Sequence, residues 1–186
     1  MNLYKQTGKF VQECFLKSSG KKSKYSQRTV FWMKKIYPKA DEAMLISAIA
    51  HDIERAFRKK ELDWIKNSRK GFLDKKHIAR HQRKSAQIIA DFLARKEADK
   101  KLIEKIKSLI RNHEFGGTKE WNVLKDADSI SFFENNADHF IDKFSAKVGK
   151  HKVAEKFDWM FKRIDSEKAK RITRPWYEKA IKKLDL

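Results

Sequence analysis

The sequence holds a single cysteine, Cys14, in 186 residues. An intramolecular disulfide is therefore impossible, and so is a thiolate metal cluster within one chain. Two prolines and six glycines leave few turn residues, which argues against a sheet protein built from many hairpins. No apolar run approaches the roughly 20 residues that a membrane helix needs. The longest small-apolar segment, residues 44–50, reads as a short piece of a helix. Near the start of the chain Lys5, Gln6, Lys9, Gln12 and Glu13 interrupt any signal-peptide core. These absences predict a cytoplasmic, all-α protein with no membrane partner.

What is present fits one domain. The chain is long enough for one substantial core and short for two. Hydrophobic residues make up only 40%, but 13 Phe and 5 Trp supply bulk for a core. Charged residues reach 38%, and the formal net charge is +20. Such a surface concentrates anions: nucleotides, nucleic acid or acidic lipid head groups. The excess is mostly lysine spread along the chain, with no compact Arg-rich arm. Weak, salt-sensitive, non-specific nucleic-acid binding is the expectation, and the oligomeric state is not legible.

Periodicity gives the organisation. Residues 1–17 form a helix with Leu3, Phe10, Cys14 and Phe15 inward, and 18–24 read as a mobile basic loop. A helix over 25–37 carries Val30, Met33 and Ile36 and stops at Pro38. Asp41 caps a helix running to about residue 57, with Leu45, Ile46, Ile49 and Ile53 inward. Residues 58–75 form a long polar connection carrying Trp64 and Phe72, of a length that is often functional. Helices over 76–96 and 99–113 follow, and Gly116-Gly117 ends the second. Asn122 caps a helix over 123–135. The last 50 residues give two or three more helices, one with the stripe Val153, Phe157, Met160, Phe161 and Ile164. Pro175 opens or interrupts the final one.

The chemistry-bearing residues fall on inward stripes. His51-Asp52 lies late in the helix that begins near Asp41. About 0.4 such dipeptides arise by chance in this composition, so it needs context. His81 shares its stripe with Ser85, Ile88 and Phe92. His113 ends the stripe Leu102, Ile106, Leu109 and Ile110. Asp128 shares a face with Leu124 and Phe132. A single buried histidine is more often a hydrogen-bonded core residue than a ligand. Three histidines and two aspartates on four inward stripes fit that reading poorly, because a buried carboxylate must be paired, protonated or metal-bound. Imidazole and carboxylate together suit Mn, Fe, Ni, Co or Zn, or Mg where carboxylates dominate. For adjacent His51 and Asp52 to reach one site, the helix must be irregular at its end.

Four segments in this order resemble a known family. Tyr25-Ser26-Gln27-Arg28-Thr29-Val30 and Ala48-Ile49-Ala50-His51-Asp52-Ile53 are similar to the opening of the HD-superfamily phosphohydrolases. His81-Gln82-Arg83-Lys84-Ser85-Ala86 resembles their second histidine helix, Arg111-Asn112-His113-Glu114 their third histidine element, and Leu124-Lys125-Asp126-Ala127-Asp128 their closing aspartate. The resemblance covers roughly residues 24–135. It implies a single-domain HD-type helical bundle, with a metal-binding core over 24–135 and C-terminal helices over 136–186 packed on it. It further implies one or two divalent ions and hydrolysis of a nucleotide or other small phosphate ester through a metal-activated water. His51, Asp52 and Asp128 match family metal ligands. His81 and His113 match the extra histidines of the two-metal subset, in which Asp52 would bridge both ions. Where the family carries its first metal-binding histidine, this chain has Tyr25-Ser26. A tyrosine is a poor neutral ligand, so Tyr25 is read as a hydrogen-bond donor to phosphate or metal-bound water.

Around these positions Asp52 and Glu54 are the candidate catalytic carboxylates, although Glu54 can equally pair with Arg58 at i,i+4. Arg55, Arg58, Lys76, Arg80 and Lys84 are candidate phosphate clamps, against the simpler reading of solvated cations on helix faces. Glu114 is a candidate acid or base, or merely a helix-end glutamate. His77 is a weaker candidate, and His139 and His151 receive no role. Two other readings stand beside the phosphohydrolase: a degenerate, non-catalytic bundle that binds a nucleotide or metal, and a basic helical nucleic-acid-binding protein.

Overall fold

The computed structural model describes residues 2–58, 68 and 70–186. Where seven of the nine described helices begin is set by side-chain caps. Asn2, Ser23, Asp41, Asp74, Asp99, Thr118 and Ser166 each accept a backbone N–H from the first turn that follows. Each satisfies a donor that the helix itself leaves without a partner. The helices are α1 (Leu3–Ser19), α2 (Lys24–Ile36), α3 (Glu42–Ala50), α4 (Lys75–Ala94), α5 (Lys100–Asn112), α6 (Lys119–Asn135), α7 (Ala137–Val148), α8 (Lys150–Lys162) and α9 (Glu167–Leu184). Short 3-10 turns occupy Ile53–Phe57 and Gly71–Leu73, and no strand occurs among the described residues. The protein is a single all-α domain.

Two helices run through the middle, and composition explains why. In α3 the run Ile46 to Ala50 is buried on every side. In α6 every residue from Leu124 to Phe133 is buried, including Lys125, Asp126, Asp128, Ser129 and Ser131. A helix buried all round loses the one-sided pattern of a surface helix. Leu124 and Ala127 of α6 join Met33, Met44, Ile46, Ile89, Leu93, Ile106 and Ile110 in a first core among α1–α6. Phe132 and Phe133, one turn further, join Ile141, Phe144, Phe157, Met160 and Leu184 in a second core under α7–α9. Helix α6 therefore connects the two cores, and Asp128 lies between them.

Several boundaries differ from the sequence expectation for identifiable reasons. The buried face of α1 is centred on Thr7 and Val11, with Leu3, Phe10, Cys14 and Phe15 half-buried beside it. The 18–24 stretch shrinks to a short turn, because Gly20 closes α1 at φ 69° and Ser23 already caps α2. The cap of α6 is Thr118, not Asn122. Asn122 Oδ1 instead accepts the Gly117 N–H at 2.9 Å. Gly116 sits at φ +71°, where a Cβ would run into the Asn122 and Lys125 side chains, so glycine is required there. Pro175 neither opens nor interrupts α9, which passes through it. Its missing N–H orphans the Arg171 carbonyl on an exposed face, where water can satisfy it. Trp64 lies outside the described residues.

The α3 start is a test of this reading. Asp41 Oδ1 accepts the Met44 N–H at 2.9 Å, and its other oxygen lies 2.7 Å from Lys105 Nζ. Asp41→Ala should cost about 1 kcal/mol, read as a lower urea midpoint with an unchanged slope.

Candidate metal centre

Helix α3 stops one residue before the His51-Asp52 dipeptide. His51 keeps helical dihedrals, but Asp52 takes φ −100° and ψ 9°, and the chain continues as a 3-10 turn. This break is the irregularity that two adjacent ligands need, since ordinary helical dihedrals would send the second side chain about 100° around the axis. Both residues are buried.

His81 reaches the same place from α4, and His113 from the cap position that ends α5. Asp128 comes from the middle of α6. The ring centroids of His51 and His113 are 4.9 Å apart, and those of His81 and His113 are 5.6 Å apart.

Each imidazole is anchored by one nitrogen and turned inward by the other. His51 Nδ1 lies 3.0 Å from the Ala48 carbonyl, and His113 Nδ1 lies 2.7 Å from the Ile110 carbonyl. His81 Nδ1 lies 2.9 Å from Glu54 Oε2. A proton on each Nδ1 satisfies these acceptors and leaves Nε2 as the ligand-type atom. His51 Nε2 is 2.9 Å from Asp128 Oδ1, and His81 Nε2 is 2.9 Å from Asp52 Oδ1. His113 Nε2 is 3.7 Å from Glu114 Oε1. Among the described residues, His81 Nε2 and His113 Nε2 are buried with no hydrogen-bond partner of acceptable direction.

Two overlapping groups have the spacing of a metal site. One atom each from His51, Asp52 and His113 lie within 4.8 Å of one another, as do atoms from His81, His113 and Glu114. His113 belongs to both groups. A 2.9 Å pair is also what two ligands at about 2.1 Å give on adjacent positions of an octahedral ion. The donors therefore fit a divalent cation of the nitrogen- and oxygen-liking kind.

Cations from two directions compensate the carboxylates. Arg55 Nε is 2.7 Å from Asp52 Oδ2, and Arg58 Nε is 3.0 Å from Glu54 Oε2. Arg163, which caps the end of α8, donates to Asp128 Oδ2, to Glu114 Oε2 and, at 2.9 Å, to Ser129 Oγ. The Tyr25 hydroxyl donates to Asp128 Oδ1.

Burial alone would raise Asp128; the charges of His51 and Arg163 outweigh it and hold the carboxyl far below its usual range. Burial is outweighed in the same way at His51, which Asp128 and Asp52 hold up at about 9. At His113 burial outweighs the Glu114 carboxylate 3.7 Å away and pushes the imidazole down to about 4.

The structure brings His51, Asp52, His81, His113, Asp128, Tyr25 and Arg55 to one place. Glu54 sits behind His81 as its orienting carboxylate, two bonds removed from the common centre. Arg58 lies near it, lining a cavity of about 40 Å³ together with His77 and His81. Lys76, Arg80 and Lys84 are not part of the site: all three are exposed, on the outer face of α4. Being next to His81 in sequence placed them off its face.

Three residues were undervalued or missed: Glu114, Lys156 and Arg163. Glu114 and Lys156 are buried and the Arg163 side chain is only 6% exposed; Glu114 and Lys156 line a cavity of about 180 Å³ with Tyr25, Asp52, Arg55 and Asp128.

Residues 11–183 match the family described as "Domain of unknown function (DUF4202)". The chain belongs to that family. No curated protein and no solved structure matches it. The family match runs on through α7 and α8 and to within a residue of the end of α9. The helix that carries Lys156 and Arg163 is thus as much part of the family's domain as the histidine helices are.

Proposed function

We propose that the protein is a metal-dependent phosphohydrolase of the HD type, acting on a nucleotide or another small phosphate ester. One observation carries this reading: three buried imidazoles, each fixed through Nδ1, turn Nε2 toward a centre shared with Asp52 and Asp128. In a purely structural core each Nε2 would have a well-aligned hydrogen-bond partner; here His113 Nε2 has none, and His81 Nε2 has only the poorly aligned Asp52 carboxylate 2.9 Å away. His51, Asp52, His81, His113 and Asp128 would hold one or two divalent ions, which lower the pKa of bound water and polarise a phosphoryl oxygen. The chain's own residues do the rest. Glu54 fixes the tautomer and orientation of His81. Arg55 borders the cavity, positioned to meet negative charge on a bound ester, and Tyr25 offers a hydroxyl proton at its wall.

A specific observation favours a second reading. Arg163 uses Asp128 Oδ2, an oxygen that a metal would otherwise claim. A closed ion-pair network of this sort suits a bundle that binds neither metal nor ester. Elemental analysis of the purified protein, with a screen of nucleotides and other phosphate esters, separates the two. The phosphohydrolase requires bound divalent metal at near-stoichiometric level and turnover of at least one ester. A metal-free protein that stays metal-free after incubation with Mn²⁺, Co²⁺ and Zn²⁺ would sink it.

Metal binding should also be proton-linked. With His51 held at about 9, its Nε2 is protonated at neutral pH and proton and ion compete for that atom. Affinity should therefore rise roughly tenfold per pH unit on approaching 9 and level off above it. Calorimetric titration with Mn²⁺ in two buffers of different ionisation enthalpy should report about one proton released per ion at pH 7.5.

A further inference from the structure

Lys156 lies on the inner face of α8, among Val153, Phe157 and Met160, where a helix normally buries apolar side chains. The residue is only 9% exposed, and it lines the 180 Å³ cavity together with Tyr25, Asp52, Arg55 and Asp128. It also borders the smaller cavity beside Arg58 and His81. Buried lysines are ordinarily ion-paired. This one has no hydrogen bond or ion pair among the described residues. Its one close polar-type contact is with the Trp159 ring, whose centroid is 4.4 Å from Nζ.

The surrounding charges explain why the ammonium is left over. The nearest carboxylate, Glu114, is engaged by Arg163, and Asp128 is shared among Tyr25, His51 and Arg163. Asp52 is taken by Arg55 and His81. Every anion around the cavity thus already has a cation, and Lys156 faces the cavity without one. With the residue only 9% exposed the ammonium is poorly hydrated, and a charge so placed is unfavourable unless something compensates it. Phe15, Phe132, Phe140 and Met160 make much of the cavity wall apolar, and Ser23, Tyr25 and Asn136 are its uncharged polar lining. An anionic ligand in the cavity would meet Lys156 on a wall shared with Tyr25, Arg55 and the carboxylates Asp52 and Asp128.

We propose that Lys156 is the anion-binding residue of this site, its ammonium taking a non-bridging oxygen of the phosphoryl group in the cavity between α6, α7 and α8. The proposal rests on the phosphohydrolase reading for its ligand, a phosphate ester, but not for the site itself. Burial lowers the ammonium to about 8, so it remains mostly charged at neutral pH and is also a more reactive amine than a surface lysine.

Inorganic phosphate is the probe. Calorimetric titration of phosphate into the full chain, with and without Mn²⁺, should show binding to the wild type that weakens about tenfold or more in Lys156→Met. Mn²⁺ binding measured alone should be unchanged in that variant. A second measurement needs no variant: acetic anhydride should modify Lys156 readily, and phosphate should protect it while leaving exposed Lys183 unprotected, as read by peptide mass spectrometry. Equal phosphate affinity in wild type and Lys156→Met, absence of phosphate binding to the wild type, or absence of protection overturns the proposal. The two readings fail separately. Phosphate held through Lys156 in a chain that takes no metal removes the hydrolase and keeps the anion site. Metal binding with phosphate indifferent to Lys156 does the reverse.

Discussion

Replacing Asp52 with alanine is expected to remove most bound divalent metal and to lower phosphoester turnover by at least about 10³-fold, with helical content intact. The magnitude follows from what the metal contributes to the transition state: several kcal/mol, at about 1.4 kcal/mol per tenfold in rate. Asp52 carries this much because of its place at the break after α3. It reaches His81 Nε2 with one oxygen and Arg55 with the other, and belongs to the same close group as His51 and His113. Asp52 is not repelled by its surroundings. Burial would raise its carboxyl, but Arg55, His51 and His81 hold it well below the usual range. Its removal therefore gives the metal-free protein no relief. Circular dichroism, metal content and turnover measured on the same preparation make the test, and an Asp52→Ala protein with full metal occupancy and full activity ends the metallohydrolase reading.

How much of this was legible in the sequence depends on which rule the residues obey. Asp41, with apolar residues recurring behind it, announced α3, and Pro38 announced the end of α2. His81, His113 and Asp128 stood out because a polar group on an apolar stripe contradicts the pattern around it. The same rule, applied to α8, flags Lys156 and Arg163. They fall three and ten residues after Val153, on the face of Met160 and Ile164, yet lysine and arginine are so common in this chain that they read as background. The opposite error occurred on α4. Lys76, Arg80 and Lys84 are four residues apart and so form a stripe of their own, rotated away from the one that carries His81 and Ser85. The pairing of Tyr25 with Asp128, or of Arg163 with Glu114, joins residues 103 and 49 positions apart. No local pattern encodes a contact at that range; the first follows from α2 packing on α6, the second from the end of α8 meeting the turn after α5.

Arg163→Met gives the second large effect and separates a metal centre from a structural network. The Arg163 side chain is only 6% exposed, and its guanidinium neutralises Asp128 and Glu114, which are themselves buried. Methionine keeps much of the volume and removes the charge, leaving Glu114 without its ion-pair partner and Asp128 with His51 alone. Breaking a buried pair in this way costs about 3–5 kcal/mol. For a chain of this length that corresponds to a fall in Tm of roughly 6–20 °C. If the site is built for a divalent ion, the ion supplies the missing positive charge, because Asp128 and Glu114 then gain a ligand in place of a guanidinium. Saturating Mn²⁺ at 100 times its Kd adds about 2.7 kcal/mol to any protein that binds it only when folded. In Arg163→Met the affinity itself should also rise, since the ion no longer competes with arginine for Asp128 Oδ2. The Mn²⁺-induced increase in Tm should therefore be larger in the variant than in the wild type. A variant destabilised as expected but indifferent to Mn²⁺, Co²⁺ and Zn²⁺ would identify Arg163, Asp128, Glu114 and His51 as a closed ion-pair network, with the imidazoles serving the fold alone.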